Sequence, residues 1–345
     1  MIEFNKEYFY KVAKEIFECD SPTGYTKKVI DLIKTYVDSY GYTSKILNNG
    51  ALEVSIEGLD HSKTVATSAH VDTLGLMVRS IKGDGHLALT TLGGPITPTL
   101  DGEYAKIYTR EGKVYRGTIL STSPSTHVYK DANTKSRDID NLEVRLDEEV
   151  FSKADVLKLG INNGDIVCYD TKFELTESGF LKTRFIDDKA SAVILLLLLE
   201  YVSKNKLSFK YDTKIYFVVY EEVGHGASMV SKDISEFVTL DMGCVGLDLE
   251  GNEYACSICA KDSSGPYDYE LTTRLIELAK ANNIVYTIDI FPYYGSDIGA
   301  ASRAGVDFKG ALVGTGVSAS HGMERTHLKG IINTLKLIYL YLINE

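Results

Sequence analysis

The chain has 345 residues, 44% hydrophobic and 25% charged, enough for one large domain or two ordinary ones with a substantial core. Its net charge of −11 comes without clustered lysines or arginines, which excludes nucleic acid as an expected partner. The most apolar run, residues 192–199, falls far short of the roughly 20 residues of a membrane span, and five cysteines do not make a disulfide scaffold.

The opening stretch, MIEFNKEYFYKVAKEIF, is acidic where a secretory leader is basic; it reads as an amphipathic helix and points to a cytoplasmic protein. After a break at Ser21-Pro22-Thr23-Gly24, residues 27–40 carry Val29, Ile30, Ile33, Tyr36 and Val37 on one helical face. Residues 51–57 alternate as a strand does, and 64–69 form a short run leading into His70. From about 76 to 172 helical periodicity nearly vanishes. Short β-like stretches at 105–109 and 114–119 alternate with turn signals such as Gly83-Asp84-Gly85 and Gly93-Gly94-Pro95, and Gly164-Asp165-Ile166-Val167 runs into a further strand. An inserted all-β domain is expected here.

The α/β rhythm then returns. Helix 189–201 is followed by strand 214–220, a helix near 227–231 and a strand ending at Asp241. Helix 267–282, strand 285–290, helix 298–304, strand 308–313 and a last helix at 328–342 complete the chain. The predicted fold class is α/β: a three-layer α/β/α sandwich with a mainly parallel sheet, formed by residues 1–75 and 176–345, with a small β-barrel inserted at 76–175.

Ligands of open α/β sheets bind outside the carboxyl ends of the strands, and several candidate groups fall there. His70 and Asp72 follow the run at 64–69, Glu221-Glu222 cap the strand at 215–220, and Asp241 closes Phe237-Val238-Thr239-Leu240. A carboxylate pair directly after a buried strand is costly unless a cation or solvent compensates it. Asp187-Asp188 open a buried helix, where either also suits a helix cap. His321 and His327 stand in a loop before the last helix. Together His70, Asp187, Glu222, Asp241 and His321 make a cage for two divalent cations, and two histidines with three carboxylates suit zinc, cobalt or manganese. The three carboxylates leave two dications one charge short of neutral, which favours a bridging hydroxide and reads as a metallohydrolase. Cys256 and Cys259 form a CxxC without a second pair, so two thiols in a buried strand is the simpler reading.

The motifs AHVD (69–72), FIDDKAS (185–191), YEEVGHGA (220–227), TLDMG (239–243), YYGSDIGAA (293–301) and SHGMERTH (320–327), in this order, resemble the M42 family of metallo-aminopeptidases over essentially the whole chain. The resemblance implies that His70 and Asp241 bind one metal, Glu222 and His321 the other, and that Asp187 bridges them. It makes Glu221 the general base, Asp72 the carboxylate that orients His70, and Gly295, Ser296 and Asp297 part of the wall facing the substrate's first side chain. It further implies two divalent ions per subunit, zinc or cobalt with manganese tolerated, and short peptides cleaved at their amino terminus. The insert would be a PDZ-like dimerisation domain, with dimers building a hollow dodecamer. Thr73 stands where an acidic residue is common in the family and Lys189 where an arginine is usual. The short interval from Glu222 to Asp241 leaves Asp248 as an alternative ligand. His127, in the insert, reads as a solvated loop residue or as one reaching a neighbouring subunit's site; His225 reads as a loop residue. The competing functions are a related dizinc deacylase or carboxypeptidase, a glycoside hydrolase using the paired carboxylates, and an inactive scaffold.

Overall fold

The computed structural model describes residues 2–344, and the chain divides into two compact units: residues up to 73 together with those from 172 onward, and residues 74–171. In the first unit, α1 (Lys6–Glu18) starts at Asn5, whose side chain accepts from the Tyr8 amide, and it buries Phe9, Val12, Ala13, Ile16 and Phe17 along one stripe. Next, α2 (Lys27–Ser39) turns Val29, Ile30, Ile33 and Val37 inward. The main sheet opens with β1 (Ser44–Ile46), β2 (Leu52–Ile56) and β3 (Asp60–His70).

The second unit is a closed barrel built from β4 (Gly75–Ile81), β5 (Leu87–Leu92), β6 (Tyr104–Tyr108), β7 (Val114–Ser121), β8 (Leu142–Leu146) and β9 (Ile166–Tyr169). Its strand order is β4-β5-β8-β7-β6-β9, and the pairings are antiparallel. It also carries α3 (Lys153–Lys158), which the sequence reading lacks. Ser152 caps it by accepting from the Asp155 amide, and a helix this short shows no period.

Back in the first unit come β10 (Glu174–Leu175), β11 (Phe180–Thr183), α4 (Ile186–Lys204), β12 (Tyr211–Val218), β13 (Ile234–Leu240) and β14 (Gly243–Cys244). They are followed by β15 (Cys256–Asp262), β16 (Gly265–Pro266), α5 (Tyr269–Ala281) and β17 (Tyr286–Ile290). The chain closes with α6 (Asp297–Arg303), β18 (Lys309–Val317), β19 (Glu324–His327) and α7 (Leu328–Asn344). The main sheet runs β1-β2-β12-β3-β13-β18-β15, with β16 and β17 both on β15 and β14 on β18. Its centre, β12-β3-β13-β18, is parallel, whereas β2 pairs antiparallel with β1 and β12, and β15 with β18.

Both faces of this sheet are covered. Ile215 and Phe217 of β12 and Val313 of β18 join the core shared with α1, α2, α4, α5 and α7. Their neighbours Tyr216, Val218 and Leu312 pack on the opposite face with Ile298 and Ala301 of α6. This double burial makes the central strands read as continuous apolar runs. Helix α4, buried on every side from Ile186 to Leu199, is the apolar run noted in the sequence. Among the described residues, no helix is long and apolar enough to cross a membrane.

Two predicted local features differ. The helix expected near 227–231 is a single 3-10 turn, Gly226–Met229, and the loop expected before α7 contains β19, paired with β11.

Candidate metal centre

Five segments converge at the carboxyl edge of the parallel strands, and each is turned by an unusual backbone or by the end of a strand. His70 is the last residue of β3. After β12, Tyr220 adopts a left-handed conformation (φ +69°) and throws Glu221 and Glu222 into a 3-10 turn closed by Gly224. Phe185 is likewise left-handed (φ +68°), and Asp187 and Asp188 keep non-helical dihedral angles, so the regular part of α4 begins at Lys189. Asp241 directly follows β13, where its amide donates to the Val313 carbonyl. His321, at φ +64°, sits in the β18–β19 turn.

The side chains meet closely. His70, 2% exposed, places Nε2 3.1 Å from Asp187 Oδ1 and 3.8 Å from Glu221 Oε2. The other carboxylate oxygen of Asp187 lies 3.4 Å from His321 Nε2, which in turn stands 3.8 Å from Glu222 Oε2. Candidate ligand atoms of His70, Glu221 and Asp241 fall within 4.8 Å of one another, as do those of His70, Asp187 and Glu222. The cavity over this cluster has a volume of about 240 Å³ and is lined by Asp187, Glu221, Glu222, Asp241 and His321, with Tyr293, Tyr294, Gly295, Ser296 and Arg303 across from them.

The electrostatics are those of several carboxylates crowded into a buried space. Burial pushes Glu221 and Glu222 well above the usual carboxylate range, and burial followed by the Asp187 charge pushes Asp241 up to about 8. Asp187 goes the other way: His321 and His70 overcome its burial and hold it below the ordinary range. His70, which burial alone would lower, is raised well above its usual value by Asp187 and Asp72. Oε1 of Glu222 is buried and has no hydrogen-bond partner. Four carboxylates beside two histidines, with an orphaned oxygen among them, fit a divalent cation of the zinc, cobalt or manganese type.

Supporting contacts reveal roles the sequence does not display. Asp72 is fully buried; Oδ1 accepts from the Glu221 amide at 3.2 Å, and Oδ2 from the Glu222 amide at 3.4 Å and from Thr23 Oγ1 at 2.7 Å. The acceptor for His70 Nδ1 at 2.9 Å is the Asp72 carbonyl, whereas its carboxylate stands 3.6 Å away, so this residue positions the Glu221–Glu222 turn as well as the histidine. Glu324, buried and raised to about 8 chiefly by that burial, accepts from the His321 amide at 2.9 Å and the Asp187 amide at 3.1 Å. Asp188 accepts from the His70 amide at 3.3 Å. No local signal marks Asp188 or Glu324, because their partners lie more than a hundred residues away or on the backbone.

Of the remaining candidates, Gly295 and Ser296 line the cavity, while Asp297 is buried outside that lining and accepts from Ala227 N and Ser68 Oγ. Asp248 is exposed and absent from the cavity wall, whereas Asp241 is 3% exposed and within it. His225 is an exposed residue stacked on Tyr220, and His127 is exposed in the barrel unit. His327 accepts from the Lys329 amide and donates to the Ser178 carbonyl, so it belongs to the β11–β19 strand pair rather than to the cavity. Lys189 Nζ donates to the Cys19 carbonyl. Cys256 and Cys259 are free, buried thiols in β15, raised to about 12 by burial.

An α/β sheet with this histidine–carboxylate cluster at its carboxyl edge defines a hydrolase of the metal-dependent class. Residues 50–337 match the family model described as M42 glutamyl aminopeptidase. YhfE of Bacillus subtilis (strain 168) is 42% identical over 332 residues, covering 96% of each chain. Among solved structures, a TET aminopeptidase from a marine-sediment Thaumarchaeota archaeon superposes with a TM-score of 0.88 at 19% identity over 97% of each chain. The Pyrococcus horikoshii TET1 peptidase gives 0.86 at 21% identity, covering 98% of this chain and 100% of its own. The chain belongs to the M42 glutamyl aminopeptidase family and is a peptidase of the aminopeptidase type.

Proposed function

We propose that this protein removes the amino-terminal residue from short peptides with two divalent metal ions, zinc or cobalt and tolerating manganese. The observation that carries the proposal is the placement of Asp187, whose two oxygens face two different histidines, His70 at 3.1 Å and His321 at 3.4 Å, as a carboxylate shared between two cations must. In this reading His70 and Asp241 hold one ion, Glu222 and His321 the other, and Asp187 serves both. The ions, when bound, lower the pKa of water and polarise the scissile carbonyl. Glu221, fixed through its amide by Asp72, takes the proton from the attacking water and returns it to the leaving amine. Gly295 and Ser296 form the wall against the first residue of the substrate.

We assign the barrel of residues 74–171 to subunit pairing and expect a homo-oligomer, a dodecamer by analogy with the TET1 peptidase, which can assemble into a tetrahedron or a large octahedral shell. A cytoplasmic location accords with five cysteines that form no disulfide with one another. The test is a panel of aminoacyl chromogenic substrates with metal-stripped enzyme and with each metal restored. Activity should vanish on stripping, return with metal, and be abolished by acetylating the peptide amine but not by amidating its carboxyl end. Cleavage of amino-blocked peptides, or activity indifferent to chelator, would refute the assignment.

A further inference from the structure

Ser296 occupies the position that caps α6, yet its hydroxyl makes no capping hydrogen bond to that helix. Serine at this position ordinarily uses its oxygen on the helix amides, which stabilises the helix end. The hydroxyl instead lies 2.9 Å from the phenol of Tyr267, which is buried and donates to Asp262 Oδ2 at 2.9 Å. Asp262 also accepts from the Ser264 amide at 2.7 Å. A carboxylate with two donors on it accepts only, and a phenol has a single proton, so the direction of the chain is fixed from its buried end. Tyr267 gives its proton to Asp262, and Ser296 gives its own to Tyr267. The lone pairs of Ser296 are then left for the cavity that it lines together with Asp187, Glu221, Glu222, Asp241 and His321.

We propose that Ser296 is a dedicated acceptor for the substrate's α-amino group, with Tyr267 and Asp262 as positioning residues that hold its hydroxyl in acceptor polarity. The proposal rests on the aminopeptidase reading and adds to it how the free amine is recognised by the protein itself. A freely rotating serine would accept or donate indifferently; a serine locked as acceptor discriminates an amine from a group that carries no N–H. An amine N–H reaching Ser296 completes a run of bonds that ends at Asp262, and each bond polarises the next.

The test measures binding by calorimetry in the zinc-loaded Glu221→Gln background, where hydrolysis of the amide is slowed, using alaninamide and its des-amino counterpart propanamide, together with KM and kcat on an aminoacyl chromogenic substrate with Glu221 intact. In that background, with Ser296 unchanged, alaninamide should bind the tighter of the two. Ser296→Ala should shrink that preference about tenfold and raise KM similarly with metal content unchanged, the size expected for losing one bond to a polar or charged group. Tyr267→Phe should weaken the preference several-fold, and in the double variant it should add nothing to Ser296→Ala, since the tyrosine acts only through the serine. Ser296→Thr, keeping the hydroxyl, should retain most of the preference. An unchanged preference in Ser296→Ala, or effects of the two substitutions that multiply, would overturn the proposal. A loss confined to lysinamide, with alaninamide unaffected, would also overturn it, by assigning the serine to a side chain. A wild type without aminopeptidase activity would instead sink the functional reading, and the amide pair would still report separately on Ser296.

Discussion

Replacing Asp241 by asparagine is expected to stabilise the metal-free protein near pH 8 while weakening its response to metal. Burial, followed by the charge of Asp187, raises the Asp241 carboxyl to about 8, whereas an aspartate in an unfolded chain titrates near ~3.9. The native state therefore keeps a proton that the unfolded chain has released, and stability falls as pH climbs from about 4 to about 8. Integrated to pH 8, that difference of about four pKa units is on the order of 5 kcal/mol. The amide removes this term but leaves its own buried polar groups imperfectly paired, at a cost of about 1–3 kcal/mol, so a net gain of a few kcal/mol is expected. The neighbours share the sign: Glu221 and Glu222 are raised by burial, and His70 is raised by Asp187 and Asp72 against its burial, so each also loses stabilisation as pH rises. Urea unfolding in chelator across pH 5 to 8.5 measures this directly, and repetition with zinc should stabilise the wild type more than the variant. A variant no more stable than the wild type in chelator at pH 8, or a metal-free wild type that gains stability between pH 5 and 8, would refute the reasoning.

Glu221→Gln should keep both metals by atomic absorption yet lose kcat by about 10²–10⁴, the usual contribution of a general base; substantial residual turnover would remove Glu221 from that role. Glu324→Ala frees the His321 and Asp187 amides, and metal affinity measured by competition with a chromophoric chelator should fall about 10–100-fold. In Gly314→Ala, the new Cβ would stand 1.6 Å from the Asp241 carbonyl oxygen, so the strand must shift and carry that residue with it. The expected result is a lowered Tm and less than full metal content, and a normal melt with full metal content would contradict it.

The residues that end strands were legible in the sequence because double burial writes the central strands as apolar runs and a carboxylate stops each run. Hence Glu221, Glu222 and Asp241 could be placed at the carboxyl edge from their order alone, and α4 from its apolar run at 192–199. Contacts that join distant segments through the backbone were not legible. The bonds from Asp72 to Thr23 and to the Glu221 and Glu222 amides span 49, 149 and 150 positions, and Glu324 reaches the Asp187 amide across 137. A short helix such as α3 and a four-residue strand such as β19 also fall below the length at which a period can be seen.

The turns that deliver the cluster share a cause. Phe185, Tyr220 and His321 all take the left-handed conformation that bulky residues avoid at a cost of about 1–2 kcal/mol each. Phe185 lies two residues before Asp187, Tyr220 lies immediately before Glu221, and His321 is itself in the cluster. In an uninterrupted strand, successive side chains alternate between faces, so Glu221 and Glu222 would point to opposite sides of the sheet. One left-handed residue breaks that alternation and turns both carboxylates across the sheet edge. Such conformations persist only where surrounding contacts over-determine them. Here two buried carboxylates do so, Asp72 on the amides following Tyr220, and Glu324 on the amides of Asp187 and His321. The turns that carry the cluster are therefore held in shape by acids whose oxygens are engaged with backbone amides, so part of the site's geometry is fixed by the fold itself.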